Sequence, residues 1–377
     1  MSYTSPKIDK FAMILYLFLG LIGGVVLFRY SQTNNLSSIQ KQVIVFFPMS
    51  LFMVMFFVKR FDVEMFRKHE NANYIVAIFL LSLVLLIGKE VLGAKRSLDL
   101  YLFSFQPSYY ARIILINSLA IYLSKYGNLI AENKIVVFLK KSPKLIIFFL
   151  ITTALILKEP HLSVLLITGA SMFFLIFIAG LNKKIILVII LFIALAFTGL
   201  VAFGESYRGA RIKVYSKYLL VNPYRHKIKV TGDNERQIKE SLGALSAGGV
   251  WGTKSDFGSA ERKFVPEANT DYIFSFIGEE FGFVFSSLLL LVFFALFFRL
   301  FMLSMKVKDP YRRYFALGLC MNFILTVIVN TGVATSILPS TGVSLPFISY
   351  GGSAYLMESF SIAIILNIIA QEKRIEI

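Results

Sequence analysis

The sequence predicts an all-α polytopic membrane protein of about ten transmembrane helices with one long extracytoplasmic loop, and three observations carry that prediction. Hydrophobic residues make up 57% of the 377 residues and charged residues only 16%, a balance that exceeds what a soluble enzyme of this length needs for its core. Apolar runs long enough to cross a bilayer recur along the chain. Between them, Lys and Arg collect in alternate connections, as short cytoplasmic loops do.

A hydrocarbon core of roughly 30 Å takes about 20 apolar residues in a helix. The spans fall near 11–28, 43–58, 74–89, 110–124, 144–158, 160–180, 184–203, 281–300, 314–331 and 354–371. Arg112 and Asn117 interrupt the fourth, and Lys158, Glu159 and Pro160 alone separate the fifth from the sixth. No small-residue cleavage site follows the first run, so it reads as a retained anchor. One side of this layout, with both termini and the loops near 59–73, 125–144, 181–184 and 299–313, carries twenty Lys and Arg, whereas the short loops opposite carry six. That asymmetry places both termini in the cytoplasm and makes residues 1–377 a single integral membrane domain. The segment 204–271, between spans seven and eight, is the long outer loop and holds twelve more; a loop of that length is largely exempt from the rule.

The formal charge of +17 would suit nucleic acid if it formed one patch. Its distribution instead brings most of it to the inner leaflet and its anionic lipids. A single cysteine, Cys320, excludes an internal disulfide and a thiolate metal cluster. The histidines, His69, His161 and His226, are too scattered for a zinc motif.

Four carboxylates, Glu267, Asp271, Glu279 and Glu280, gather where the chain re-enters the apolar phase. A desolvated carboxylate costs several kcal/mol without a partner, so the cluster needs a reason. The apolar run 272–300 has 29 residues, about 43 Å if helical, which exceeds the bilayer core. Gly278 and Gly282 flank the two glutamates and suggest a break there, leaving Glu279 and Glu280 near the outer interface as structural partners of Arg or Lys. Asp271, directly before the run, meets the positive end of a helix dipole, which favours the ionised form and suits a base or a cation ligand. A simple helix cap is the other reading.

Residues 204–230 are dense in Arg, Lys and Tyr. They suit either a cradle for a pyrophosphate headgroup or an amphipathic segment lying in the interface. Residues 241–259, rich in Gly and Ser around Trp251, read as a loop that brings backbone close to something. The uncharged stretch 330–353, rich in Gly and holding Pro339 and Pro346, cannot leave its backbone facing lipid. It is expected to be buried in protein or to line a wet cavity, as the wall opposite the acids.

In this order, YRGAR (207–211), SLGALSAGGVWG (241–252), FVPEANTDYIFSFIGEEFGF (264–283) and LPSTGVSLPFISYGGS (338–353) resemble the motifs of the SEDS family, FtsW, RodA and SpoVE. GKEVLGAKRS (88–97), FQPSYYAR (105–112) and EPHLS (159–163) agree with it. The resemblance implies a ten-helix peptidoglycan glycosyltransferase that polymerises lipid II on the outer membrane face, paired with a class B penicillin-binding protein. It implies Asp271 as the essential carboxylate. Arg208, Arg211, Lys263 and Glu267 are the candidates to meet pyrophosphate or glycan, together with Ser349, Gly351 and Gly352. Glu279, Glu280 and Arg112 are secondary candidates. A divalent cation, Mg or Mn, on Asp271 is the one cofactor considered; no organic cofactor and no nucleic acid are expected.

The sequence departs from the family pattern at four places. Tyr109 stands where the motif has a glutamate and Arg112 where it has a lysine. His161 and Ser163 replace an aspartate and a glycine, Asn269 replaces a histidine, and Ser97 replaces a tryptophan. The loss at Tyr109 leaves open whether a second intramembrane acid takes part. Two other functions stay open on sequence alone: a transporter of the lipid-linked precursor, and a non-catalytic scaffold for the transpeptidase. Elongation, division and sporulation roles are not distinguished.

Overall fold

The computed structural model describes residues 8–34, 42–91, 94–99, 104–159, 161–182, 233–253 and 270–375. Within them the chain forms twelve α-helices. These are α1 Lys10–Asn34, α2 Phe47–Arg60, α3 Glu64–Lys68, α4 Glu70–Ile87, α5 Pro107–Ala131, α6 Ile135–Lys141, α7 Pro143–Lys158, α8 Leu162–Ile178, α9 Asp233–Gly248, α10 Ile273–Met305, α11 Pro310–Ala334 and α12 Gly352–Ile375. A π-helical turn, Gln42–Phe46, leads into α2. Nine of the ten predicted spans are occupied by helix; the seventh, 184–203, lies outside the described residues. Among the described residues six helices, α5, α11 and α12 included, are long and apolar enough to cross a membrane by length and composition. The protein is multi-pass.

Local chemistry sets the helix starts. Pro107, Pro143 and Pro310 each open a helix at the position where a missing N–H costs nothing. Asp309 caps α11 by accepting from the Arg312 N–H at 2.8 Å. Packing then divides the helices by exposure. On α1, Phe11, Ile14, Phe18, Leu21, Val25 and Phe28 are about half exposed or more, a stripe at helical spacing that suits lipid. Helices α5, α11 and α12 lie mostly buried at the centre.

The polar interruptions of the fourth span face this interior. Asn117 accepts from the Tyr311 hydroxyl of α11 at 2.7 Å, and Arg112 pairs with Glu358 of α12. The two chain ends meet the same end of the bundle: Asp9 binds Arg299 at 2.8 Å, Glu372 accepts from the Lys308 N–H at 3.1 Å, and Glu64 binds Arg312 at 3.0 Å.

Two elements add to the predicted all-α picture. A small antiparallel sheet, β1 Lys89–Val91, β2 Ala94–Asp99 and β3 Ser104–Phe105, joins α4 to α5 in the order β1-β2-β3. Within the span read as one outer loop, α9 packs into the bundle. Ile238, Ser241 and Ala244 are buried, and the Ser241 hydroxyl bonds to Ser275 Oγ at 2.6 Å and donates to the Ala334 carbonyl at 2.7 Å.

The long helix α10 is broken at Gly282, whose φ is 78° and ψ −178°, a conformation essentially restricted to glycine. Breaking a helix in lipid exposes amides and carbonyls that need partners. The glycine-rich turn after α9 supplies them. Phe283 N–H donates to the Gly249 carbonyl at 2.9 Å and Val284 N–H to the Val250 carbonyl at 3.2 Å, while the Glu279 carbonyl accepts from the Thr253 N–H at 2.9 Å. The backbones touch, since a Cβ on Gly282 would stand 2.2 Å from the Gly252 nitrogen. Gly282→Ala therefore combines a steric clash with about 1–3 kcal/mol of backbone strain. A lower melting temperature in detergent is expected, and unchanged melting would contradict this account of the break.

Candidate active site

Asp271 lies in a turn two residues before α10, and the residue at the helix cap is Tyr272, with no side-chain cap bond. Asp271 is partly exposed, at the end of the bundle opposite the termini. Two side chains of the 330–353 segment, and its backbone at Gly342, hold its surroundings. Asn330 of α11, buried, uses one amide group twice, donating to the Asp271 carbonyl at 2.9 Å and to the Val343 carbonyl at 2.7 Å. Ser349 donates to the Thr270 carbonyl at 2.6 Å and accepts from the Leu345 N–H at 2.8 Å. Gly342, with φ of 72°, lets the loop pass so close that a Cβ there would sit 3.6 Å from Asp271 Oδ2.

The loop itself is locked from below. Phe347 is buried with φ of 64°, unusual for a bulky residue, and its ring meets Tyr16 edge-on at 5.1 Å and Phe323 and Tyr355 at 5.9 Å. Such backbone persists only where the surroundings over-determine it.

Beneath this turn lies a small cavity lined by Tyr109, Thr326, Ser344, Ser349, Tyr355 and Glu358, with room for about one water molecule. The Tyr109 hydroxyl pairs with Ser344 and feels the charges of Arg112, Glu358 and Asp271 together. The Arg112 guanidinium stacks on the Tyr109 ring, 4.9 Å from its centroid.

Beside the cavity, in the connection between α7 and α8, His161 is buried. Its Nδ1 meets Gln106 Nε2 at 2.9 Å and Ser108 Oγ at 3.0 Å. His161 is thus a buried polar strut. Ser163 donates to the Thr341 carbonyl and Gln106 N–H to Ser353 Oγ at 2.9 Å. Of the residues that depart from the family pattern, Ser163 thus braces the loop directly, while His161 holds Gln106, whose backbone N–H reaches Ser353.

The predicted site residues fare differently. Ser349 stands at the turn that holds Asp271. Gly351 lies near Ser344 Oγ. Gly352 faces Phe46, whose ring leaves no room for a Cβ, so its smallness is explained by packing. Glu280 pairs with Arg29 of α1 at 2.8 Å, and Glu279 offers its carbonyl to Thr253. Arg208, Arg211, Lys263 and Glu267 lie outside the described residues. Sequence reasoning overlooked Glu358, although a lone acid inside an apolar span is the signal that could have found it. Hard divalent cations take six or more oxygen ligands. Among the described residues no group of three His, Cys, Asp or Glu comes together, so a cation on Asp271 would take its other ligands from substrate and water.

The chain matches the FtsW/RodA/SpoVE family, described as cell cycle protein, over residues 9–374. It belongs to that family. Among relatives of this FtsW/RodA/SpoVE chain, the probable peptidoglycan glycosyltransferase FtsW of Buchnera aphidicola subsp. Schizaphis graminum is 32% identical over 86% of this chain and 88% of its own. That of Wigglesworthia glossinidia brevipalpis is 31% identical over 95% and 92%. Two solved structures share the fold. A chain of a peptidoglycan synthase complex that coordinates polymerization and crosslinking superposes with a TM-score of 0.78 at 24% identity, over 97% of this chain and 98% of its own. The rod shape determining protein RodA of Thermus thermophilus gives 0.66 at 23%, over 96% of both chains.

Next to His161, Glu159 is fully buried and neither carboxylate oxygen has a hydrogen-bond partner among the described residues. Burial pushes its pKa up to about 8, against the opposing pull of Arg96. The folded protein therefore keeps a proton that the unfolded chain releases near 4.5. This contribution to stability is complete below that pH and lost as pH rises through about 8. Glu159→Gln should flatten the fall of melting temperature across that window, and an identical pH slope in both proteins would contradict the assignment.

Proposed function

We propose that this chain is a peptidoglycan glycosyltransferase that polymerises lipid II, the undecaprenyl-pyrophosphate-linked disaccharide peptide, on the outer face of a bacterial plasma membrane. The observation that carries the reading is Asp271: a partly exposed carboxylate whose backbone is fixed by Asn330 and Ser349 at the mouth of a membrane bundle. The relatives' names support the reaction class. The basic excess of the opposite end supports cytoplasmic termini, and with the termini inside, Asp271 faces outward.

In the reaction, Asp271 takes the proton from the acceptor sugar hydroxyl as that oxygen attacks the anomeric carbon of the donor. The new C–O bond forms as the bond to the pyrophosphate oxygen breaks, and the lipid pyrophosphate leaves with the electron pair. One displacement inverts the anomeric centre, and a single base suffices for so good a leaving group. Charge developing on the pyrophosphate is the main electrostatic task, and Arg208, Arg211 and Lys263 are the side chains assigned to it. A Mg or Mn ion, if bound through Asp271 and substrate oxygens, would add to that charge compensation. The partner is a class B penicillin-binding protein, a proposal supported by the synthase complex to which the fold is similar.

Two substitutions test the roles. With purified protein, its partner and lipid II, Asp271→Asn should lower glycan polymerisation by about 10²- to 10⁴-fold, the usual worth of a general base. Unchanged polymerisation removes Asp271 from the scheme. Asn330→Ala frees the turn without touching the carboxylate and should slow the reaction by about 10- to 100-fold, as small misplacements do, with lipid II binding retained. A variant as fast as wild type would show that Asn330 does not position the base.

A further inference from the structure

The Arg112–Glu358 pair has no part in the steps above, yet it lies at the centre of the bundle. Arg112 is 1% exposed and Glu358 2%, and Arg112 Nη2 donates to a Glu358 carboxylate oxygen. Desolvating both charges is costly, and a well-packed apolar pair of similar volume stabilises a fold at least as well. An ion pair inside a membrane bundle is therefore a candidate for function before structure.

Three observations connect it to the reaction. Glu358 shares the small cavity with Ser349, whose hydroxyl binds the carbonyl just before Asp271. Tyr109 lines the same cavity as Glu358, its ring against the Arg112 guanidinium and its hydroxyl paired with Ser344 of the loop that passes Asp271. Arg112 Nε and Nη1 are buried without a hydrogen-bond partner among the described residues, which leaves two strong donors for a guest oxygen, water or substrate. Positions 109 and 112 lie three residues apart on α5, the spacing at which side chains share a helix face. An acid at 109 could meet Arg112 from the same helix. In this chain that position holds Tyr109, and the carboxylate arrives from α12.

We propose that Glu358 is a positioning residue for the transfer reaction: with Arg112 and Tyr109 it forms a charged floor beneath Asp271, and the acid of that floor can be supplied from either position 358 or position 109. The proposal rests on the glycosyltransferase reading and names a further residue of the same site.

The test compares full-length variants with lipid II and the partner protein, alongside melting in detergent. Arg112→Met combined with Glu358→Leu replaces the pair with apolar side chains and should melt no lower than wild type, while polymerising about 10- to 100-fold more slowly. Glu358→Gln should also be slow, and adding Tyr109→Glu to it should restore most of the lost rate by returning the charge from the other side. Arg112→Lys should keep most activity, because the ammonium retains the pair. Polymerisation at the wild-type rate by the apolar pair, or a Tyr109→Glu/Glu358→Gln protein no faster than Glu358→Gln, overturns the proposal alone. Absence of product from wild type overturns the glycosyltransferase reading and this proposal with it.

Discussion

Backbone amides and carbonyls cannot be left bare in hydrocarbon, and the architecture at the Asp271 end follows from that constraint. The chain there abandons regular helix in two places, at Gly282 inside α10 and along residues 338–351 between α11 and α12. Each departure survives because another segment accepts or donates the freed bonds. The turn 249–253 closes the break in α10, and Asn330, Ser349 and Ser163 hold the loop. The acid is thereby set on a rigid turn rather than on a free loop tip. Because the partners come from α8, α9, α10 and α11, the site forms only when the bundle is assembled.

Charge placement follows the same economy of burial. At the termini end, Asp9, Glu64 and Glu372 each meet a basic side chain or backbone N–H at the bundle margin. At the other end, Glu280 finds Arg29, tying α1 to the upper part of α10 next to its break. Only Arg112 and Glu358 pair in the interior among the described residues, and there the low dielectric makes the pair's geometry matter more than its net energy.

Much of this was legible in the residues. Spans follow from apolar length, and the helix break followed from Gly278 and Gly282 beside an overlong run. The role of Glu280 as an interfacial partner needed only its position near that break. The uncharged, glycine-rich 330–353 segment announced a protein-lined site, since its composition forbids lipid exposure. Other features depend on tertiary neighbours that no local pattern encodes. Helix α9 is polar enough in its first half, Asp233 to Glu240, to read as loop, yet its small residues, Gly248 above all, let it approach α10 until backbones touch. The short sheet over 89–105 lacks the alternation of a strand buried on one face. Glu358 is visible as a lone acid in an apolar span, but its meaning appears only when α12 brings it to Arg112.

The central claim is that the Asp271 side chain stands at an outward-facing mouth where the substrate sugar binds. The most direct measurement is labelling of an Asp271→Cys protein in intact bacterial cells with a membrane-impermeant thiol reagent, the native Cys320 being buried. The account predicts labelling from outside and protection by lipid II. Labelling only after the reagent gains access to the cytoplasm, or outside labelling that lipid II leaves unchanged, would contradict it.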